Sequence, residues 1–208
     1  MTILYSYCIP IDDGAAPNPY WGICTLTICK PAIRRTARVG DWIVGTGSVH
    51  SPIGNIGNKV VYTMRVSQKM TLQEYDAYAQ ESYPNKVPDY SSPDVRRYLG
   101  DAIYDFSEDP PGVRQSVHNV RDRQRDLSGQ YVLLSDHFYY FGDNPIPLSE
   151  HLVPIVRQQQ GHRSHLNADY VEPFLDWLSR LELTPNQLYG NPQIRLRSTP
   201  IISINDIK

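Results

Sequence analysis

From Lys59 to Ser67 the chain alternates: Val60, Tyr62, Met64 and Val66 share one face, and Thr63 and Arg65 share the other. A period of two belongs to a strand with one buried face, so this segment commits the chain to a sheet. Asn55-Ile56-Gly57-Asn58 supplies the turn that leads into it. Shorter β-like runs lie at Ile3 to Ile9, Gly22 to Cys29, Trp42 to Gly45, Tyr131 to Leu134 and Phe138 to Phe141. Pro10 and Asp12-Asp13-Gly14 stop the first of these. The 17 prolines argue for long ordered loops and against a helical bundle.

Helices are expected at the margins. Pro31 suits a first helical residue and Gly40 a stop, so Pro31 to Arg38 reads as one or two turns. Thr71 followed by Glu74 is a capping box, opening a helix to about Gln80 with Leu72, Tyr75 and Tyr78 or Ala79 inward. Phe174, Leu175, Leu178 and Leu181 have helical spacing within Glu172 to Leu181, and Pro173 fits only its first turn. Ile194 to Ile204 reads as irregular or a last edge strand. Residues from about 81 to 130 are proline-rich, polar and weakly periodic, which predicts a functional or mobile segment rather than a packed one. The expected class is α+β: a mostly antiparallel β-barrel or curved sheet with flanking helices. At 208 residues, one domain covering 1–208 is the default.

Composition narrows the setting. Net charge is −2, so any attraction to nucleic acid must come from local patches. Cys8, Cys24 and Cys29 cannot all pair, which fits a reducing compartment. Cys24 and Cys29 would face opposite sides of one strand, so no metal site is expected from them. The amino terminus lacks a basic leader, and no run approaches the roughly 20 apolar residues that span a membrane. A cytoplasmic protein without a membrane partner is expected.

Binding residues cluster between Asn18 and Ser48. Asn18-Pro19-Tyr20-Trp21 enters a strand, and Gly45-Thr46-Gly47-Ser48 leaves the next one. Tyr20 and Trp21 could stack a flat base; Asn18, Thr46 and Ser48 offer polar edges, and Gly47 allows close backbone approach. Lys30, Arg34, Arg35 and Arg38 form a cationic run without an intervening acid, suited to phosphate. Two further basic clusters, Arg114 to Arg125 and Arg157 to His165, could serve the same way or merely solubilise exposed loops. Trp42 and Phe141 read as core. His162 and Arg163, in Gly161-His162-Arg163-Ser164-His165, could supply acid–base chemistry with His118 or Asp101. Arg163 beside His162 should disfavour its protonated form. No P-loop, nucleophile elbow or His-Glu-x-x-His is present, and no cofactor is implied.

Pro17 to Ser48, with Ser135-Asp136-His137-Phe138-Tyr139-Tyr140-Phe141-Gly142 and Gly161-His162-Arg163, resembles the bacterial and phage nucleotide modification associated domain 2 family over nearly the whole chain. The resemblance implies a DNA base modification or restriction setting rather than a reaction. Gly40-Asp41-Trp42-Ile43-Val44 resembles the Gly-Asp turn of EVE and PUA-like barrels, which bind modified bases. Three functions follow as expectations. The first is a module recognising a modified or extruded nucleobase in DNA or a nucleotide. The second is a base-modifying enzyme with a His-based site. The third is a subunit that binds a partner enzyme.

Overall fold

The computed structural model describes residues 1–157 and 159–194. Its strands are β1 (Leu4–Ile9), β2 (Cys24–Leu26), β3 (Trp42–Gly47), β4 (Lys59–Arg65), β5 (Gln68–Thr71), β6 (Tyr104–Asp105), β7 (Gly112–Val113), β8 (Tyr131–Ser135), β9 (Phe138–Tyr140), β10 (Ile146–Pro147) and β11 (Gln187–Leu188). Its helices are α1 (Pro31–Thr36), α2 (Leu72–Ser82), α3 (Arg123–Leu127) and α4 (Val171–Ser179). From 195 onward, the expected edge strand Ile194 to Ile204 lies outside the described residues.

A mixed sheet runs β1-β3-β4-β9-β11, with β10 added on β4. The β1–β3 and β9–β11 pairs are parallel and the other pairs antiparallel. A second sheet runs β2-β8-β5, and β6 and β7 form a separate ribbon. The class is therefore α+β, and among the described residues no sheet closes into a barrel. No described helix is long and apolar enough to cross a membrane.

Side-chain alternation sorts the core into three parts. Tyr5, Tyr7, Ile9 and Ile43 face Cys24, Leu26 and Leu133, filling the space between the two sheets. Leu4, Trp42, Val44 and Val60 face the other way, onto Leu152, Phe174 and Trp177. The outer side of the second sheet, with Ile28, Val132 and Leu134, is covered by Leu72, Tyr75 and Ala79 of α2 and by Ile103 and Tyr104. The capping box at Thr71 forms in both directions, the Thr71 hydroxyl taking Glu74 N–H and the Glu74 carboxyl taking Thr71 N–H. Trp42 and Phe141 are core residues, as their sequence context predicts.

Three expectations need correction. The alternation in β4 breaks at Val61, because Gly45 pairs with Tyr62 while Thr46 pairs with Val60. This bulge sends Val60 to the α4 side, and Val61 joins Tyr62, Met64 and Val66 between the sheets. Second, Gly45-Thr46-Gly47 does not leave the strand but is the buried end of β3. A Cβ at Gly45 would collide with Ile9 and Tyr62, and one at Gly47 with Ile56. The glycines there serve close packing.

Third, the 81–130 segment is packed. Fully buried Lys86 donates to Asn18 O at 3.0 Å, Asn18 Oδ1 at 2.7 Å, Ile23 O at 2.9 Å and Thr25 Oγ1 at 3.0 Å. Buried Asp101 accepts from Thr25 and Thr27, each at 2.5 Å, and from Tyr75 at 2.7 Å. A polar network thus replaces the apolar periodicity that the segment lacks. Lys86→Met keeps the stem but takes a donor from four acceptors and leaves buried Asp101 without its nearby cation. It should cost about 3–5 kcal/mol, read as a lower urea midpoint at unchanged slope; an unaltered midpoint would show that the network is not a fastening.

Candidate functional site

Between β2 and α1 the chain turns through two left-handed residues, Cys29 at φ 60° and Lys30 at φ 39°, before Pro31 opens the helix. Both backbone groups of Cys29 are held. Its N–H donates to Asp126 Oδ1 at 3.1 Å, and its carbonyl accepts from Arg34 Nε at 2.8 Å. Arg34 is fully buried, and its other nitrogens donate to Tyr131 O at 2.8 Å and Asp126 O at 2.5 Å. Gly129 is required here, since any Cβ would strike the guanidinium.

This clamp aims the Cys29 sulfur at His118. Sγ lies 3.6 Å from His118 Nε2, and His118 Nδ1 lies 2.5 Å from Asp126 Oδ2. Asp126, fully buried in α3, also accepts the Tyr104 hydroxyl at 2.9 Å. With Nδ1–H directed at the carboxylate, Nε2 faces the sulfur. Burial opposes charge on His118, but the hydrogen bonds and charges of Asp126 and Cys29 outweigh it and raise the pKa to about 10. Burial likewise opposes charge on Asp126, and its bonds from His118 and Tyr104 hold it below the ordinary carboxylate value.

Cys29 opens onto a cleft of about 320 Å³ formed by the end of β1, the Cys29–Ile33 turn and the loop at Gln160–His162. Tyr7, Ile9 and Ile33 give it an apolar floor, Lys30, Arg125 and His162 give it donors, and among the described residues no carboxylate lines it. Lys30 Nζ sits 4.5 Å from the Tyr7 ring centroid, a cation–π arrangement, and reaches Cys8 O at 3.4 Å. Burial lowers the Lys30 pKa. His162 packs on Tyr5 with ring centroids 5.9 Å apart. Its pKa is lowered by burial first, then by Lys30, Arg157 and His165. The expected direction is present, with Lys30 acting in place of neighbouring Arg163.

The sequence-derived candidates divide sharply. Lys30 and His162 line the cleft, Ser48 lies against the Cys8 thiol on its wall, and His118 stands behind Cys29. Asn18, Thr46 and Asp101 are fully buried in hydrogen bonds and lie off the cleft lining. Gly47 is packed on Ile56, and Arg34 spends its donors on backbone carbonyls. Tyr20 is core rather than surface, and Trp21 lies under the Arg96 guanidinium at 4.8 Å, away from this cleft. Exposed Arg35 donates to Ser128 O at 2.7 Å, and exposed Arg38 also lies off the cleft lining. Arg163 pairs through its backbone with Ser6.

Sequence reasoning did not single out Cys29 or Asp126 for this cleft. A cysteine between a strand and a proline-started helix was a visible signal. Its partners, 89 and 97 positions away, were not.

The family model described as nucleotide modification associated domain 2 matches residues 1–199, and the chain belongs to this family. Its setting is therefore nucleotide or DNA modification. No curated protein and no solved structure matches the chain.

The His118–Asp126 pair makes a pH prediction. His118 faces Asp126 and Cys29, with Tyr104, Arg125 and Arg34 grouped around the carboxylate. A folded-state pKa near 10 against an ordinary 6.5 means the pair stabilises fully below pH 6.5 and loses that contribution as pH rises through 10. Urea midpoints of the wild type should fall over this window more steeply than those of His118→Gln. Parallel curves would mean that the imidazole is not held charged.

Proposed function

We propose that the cleft binds a nucleotide, free or within a strand, in the service of a modification system. The phosphate rests against Lys30, Arg125 and His162, and the base covers the floor of Tyr7, Ile9 and Ile33. One observation carries this reading: three cationic or imidazole donors converge on a cleft that no carboxylate lines among the described residues, in a chain of net charge −2. Such a concentration is local, not a by-product of a basic protein. Among the described residues Lys30 has no carboxylate partner, whereas Arg125 is bonded to Asp122 at 2.9 Å, so Lys30 carries the free positive charge. His162, with its lowered pKa, acts as a neutral donor. A volume of about 320 Å³ falls at the small end of small-molecule sites.

This reading moves the base away from Tyr20, which is core, and from Trp21, which lies off the cleft lining. A bound strand would continue over exposed Arg35 and Arg38, whose charges lie outside the cleft.

Titration of a fluorescent nucleoside monophosphate tests the proposal against the matching nucleoside. Removing the phosphate, or Lys30→Ala, should weaken binding about tenfold or more, the worth of a charge-assisted hydrogen bond. Affinity should also fall with salt. Trp21→Ala should leave it unchanged. Equal affinity for nucleoside and nucleotide would remove the phosphate from the account.

A further inference from the structure

We propose that Cys29 is a catalytic nucleophile, activated by His118 and oriented through Asp126, that attacks the acyl carbon of an ester or amide presented in the cleft. The proposal shares the cleft with the nucleotide reading but does not depend on it.

The geometry has the three parts that such chemistry needs: a nucleophile, a base within reach, and a third group that orients the base. Sγ to Nε2 is 3.6 Å and Nδ1 to Oδ2 is 2.5 Å. Cys29 lines an open cleft and is half-buried, so the relay does not end inside the core. Cys29 is also immobilised at both its N–H and its carbonyl, so the direction of its side chain is fixed.

The other cysteines supply the contrast. Cys24 is fully buried between the sheets, and burial pushes its thiol up to about 12. Cys8 lines the same cleft at a similar degree of burial, but its thiol donates to Gly47 O at 3.7 Å and is pushed up by burial. Exposure alone would make Cys8 and Cys29 equally reactive. The relay distinguishes them.

The step balances without a redox partner. His118 Nε2 takes the Cys29 thiol proton as sulfur forms a bond to the acyl carbon. The tetrahedral oxyanion collapses, the carbon–nitrogen or carbon–oxygen bond breaks, and His118 gives its proton to the departing amine or alcohol. A thioester remains on Cys29. Water then attacks it, His118 takes the water proton, the carbon–sulfur bond breaks, and the carboxylic acid leaves as the thiol is restored. The net reaction is hydrolysis of one ester or amide bond. Acyl carbon is the electrophile of choice because a thiolate is a soft nucleophile suited to carbon, and a poised imidazolium is what an amine or alcohol leaving group requires.

p-Nitrophenyl acetate, an activated acyl ester, tests this on the full chain. The expected result is a burst of about one equivalent of p-nitrophenolate, the mark of a covalent acyl-enzyme. Peptide mass mapping should place the acetyl group on Cys29 in preference to Cys8 and Cys24, a comparison that needs no variant. Cys29→Ser should abolish the thioester, and folded His118→Ala should slow acylation about 100-fold or more. Equal acetylation of Cys8 and Cys29, or wild-type acylation by folded His118→Ala, would overturn the assignment. Nucleotide binding without a burst would sink this proposal alone, and a burst without nucleotide binding would sink only the nucleotide reading.

Discussion

The carboxyl of Asp126 is where the site is tied to the fold. It is fully buried and accepts three donors: Cys29 N–H, the Tyr104 hydroxyl and His118 Nδ1. Each donor comes from a different part of the chain, and none has strong local reason to be where it is. A carboxylate withdrawn from water is costly unless such donors surround it. Satisfying it therefore fixes the β2–α1 turn, the loop bearing His118 and the start of β6 at once. Arg34 completes the arrangement from below, taking the carbonyls of Cys29, Asp126 and Tyr131. The same bonds that order the fold aim the sulfur.

The position of the cleft follows from the parallel crossover between β1 and β3. Parallel β1 and β3 must be joined by a segment that leaves the sheet and returns, and residues 10–41 do so by building β2 and α1 into the neighbouring layer. That route brings the β2–α1 turn beside the carboxyl end of β1, where Tyr7, Cys8 and Ile9 meet Cys29 and Lys30. Ligands of open α/β sheets bind outside the carboxyl ends of parallel strands for a related reason, because the connection departs there and leaves a crevice. The short parallel pair is enough to make one here.

What was legible in the sequence was local. The period of two in β4, the capping box at Thr71, Pro31 as a helix start and Pro173 in the first turn of α4 each rest on neighbours in sequence. The bulge at Val61 was not, since it depends on how Gly45 and Thr46 pair across the sheet. Neither was the packing of residues 81–130, because Lys86 and Asp101 are held by polar contacts to β2 and its flanks, and such contacts leave no periodic trace. At the site, Lys30 and His162 were found from charge and chemistry alone. Arg34 was misread for the same reason: a guanidinium in sequence does not say whether its donors meet phosphate or backbone. Cys29 was weighed only as a metal ligand, because a nucleophile is recognised through its base, and that base lies 89 residues away.

Two imidazoles flank this site, and their surroundings drive them in opposite directions. Burial lowers both, but His118 has Asp126 at 2.5 Å and stays charged, whereas His162 has only the cations Lys30 and Arg157 and the imidazole of His165 near it. The first stands behind Cys29, and the second lines the cleft and is held toward its neutral form. Pairs of titratable groups pushed apart by environment divide acid and base roles between them.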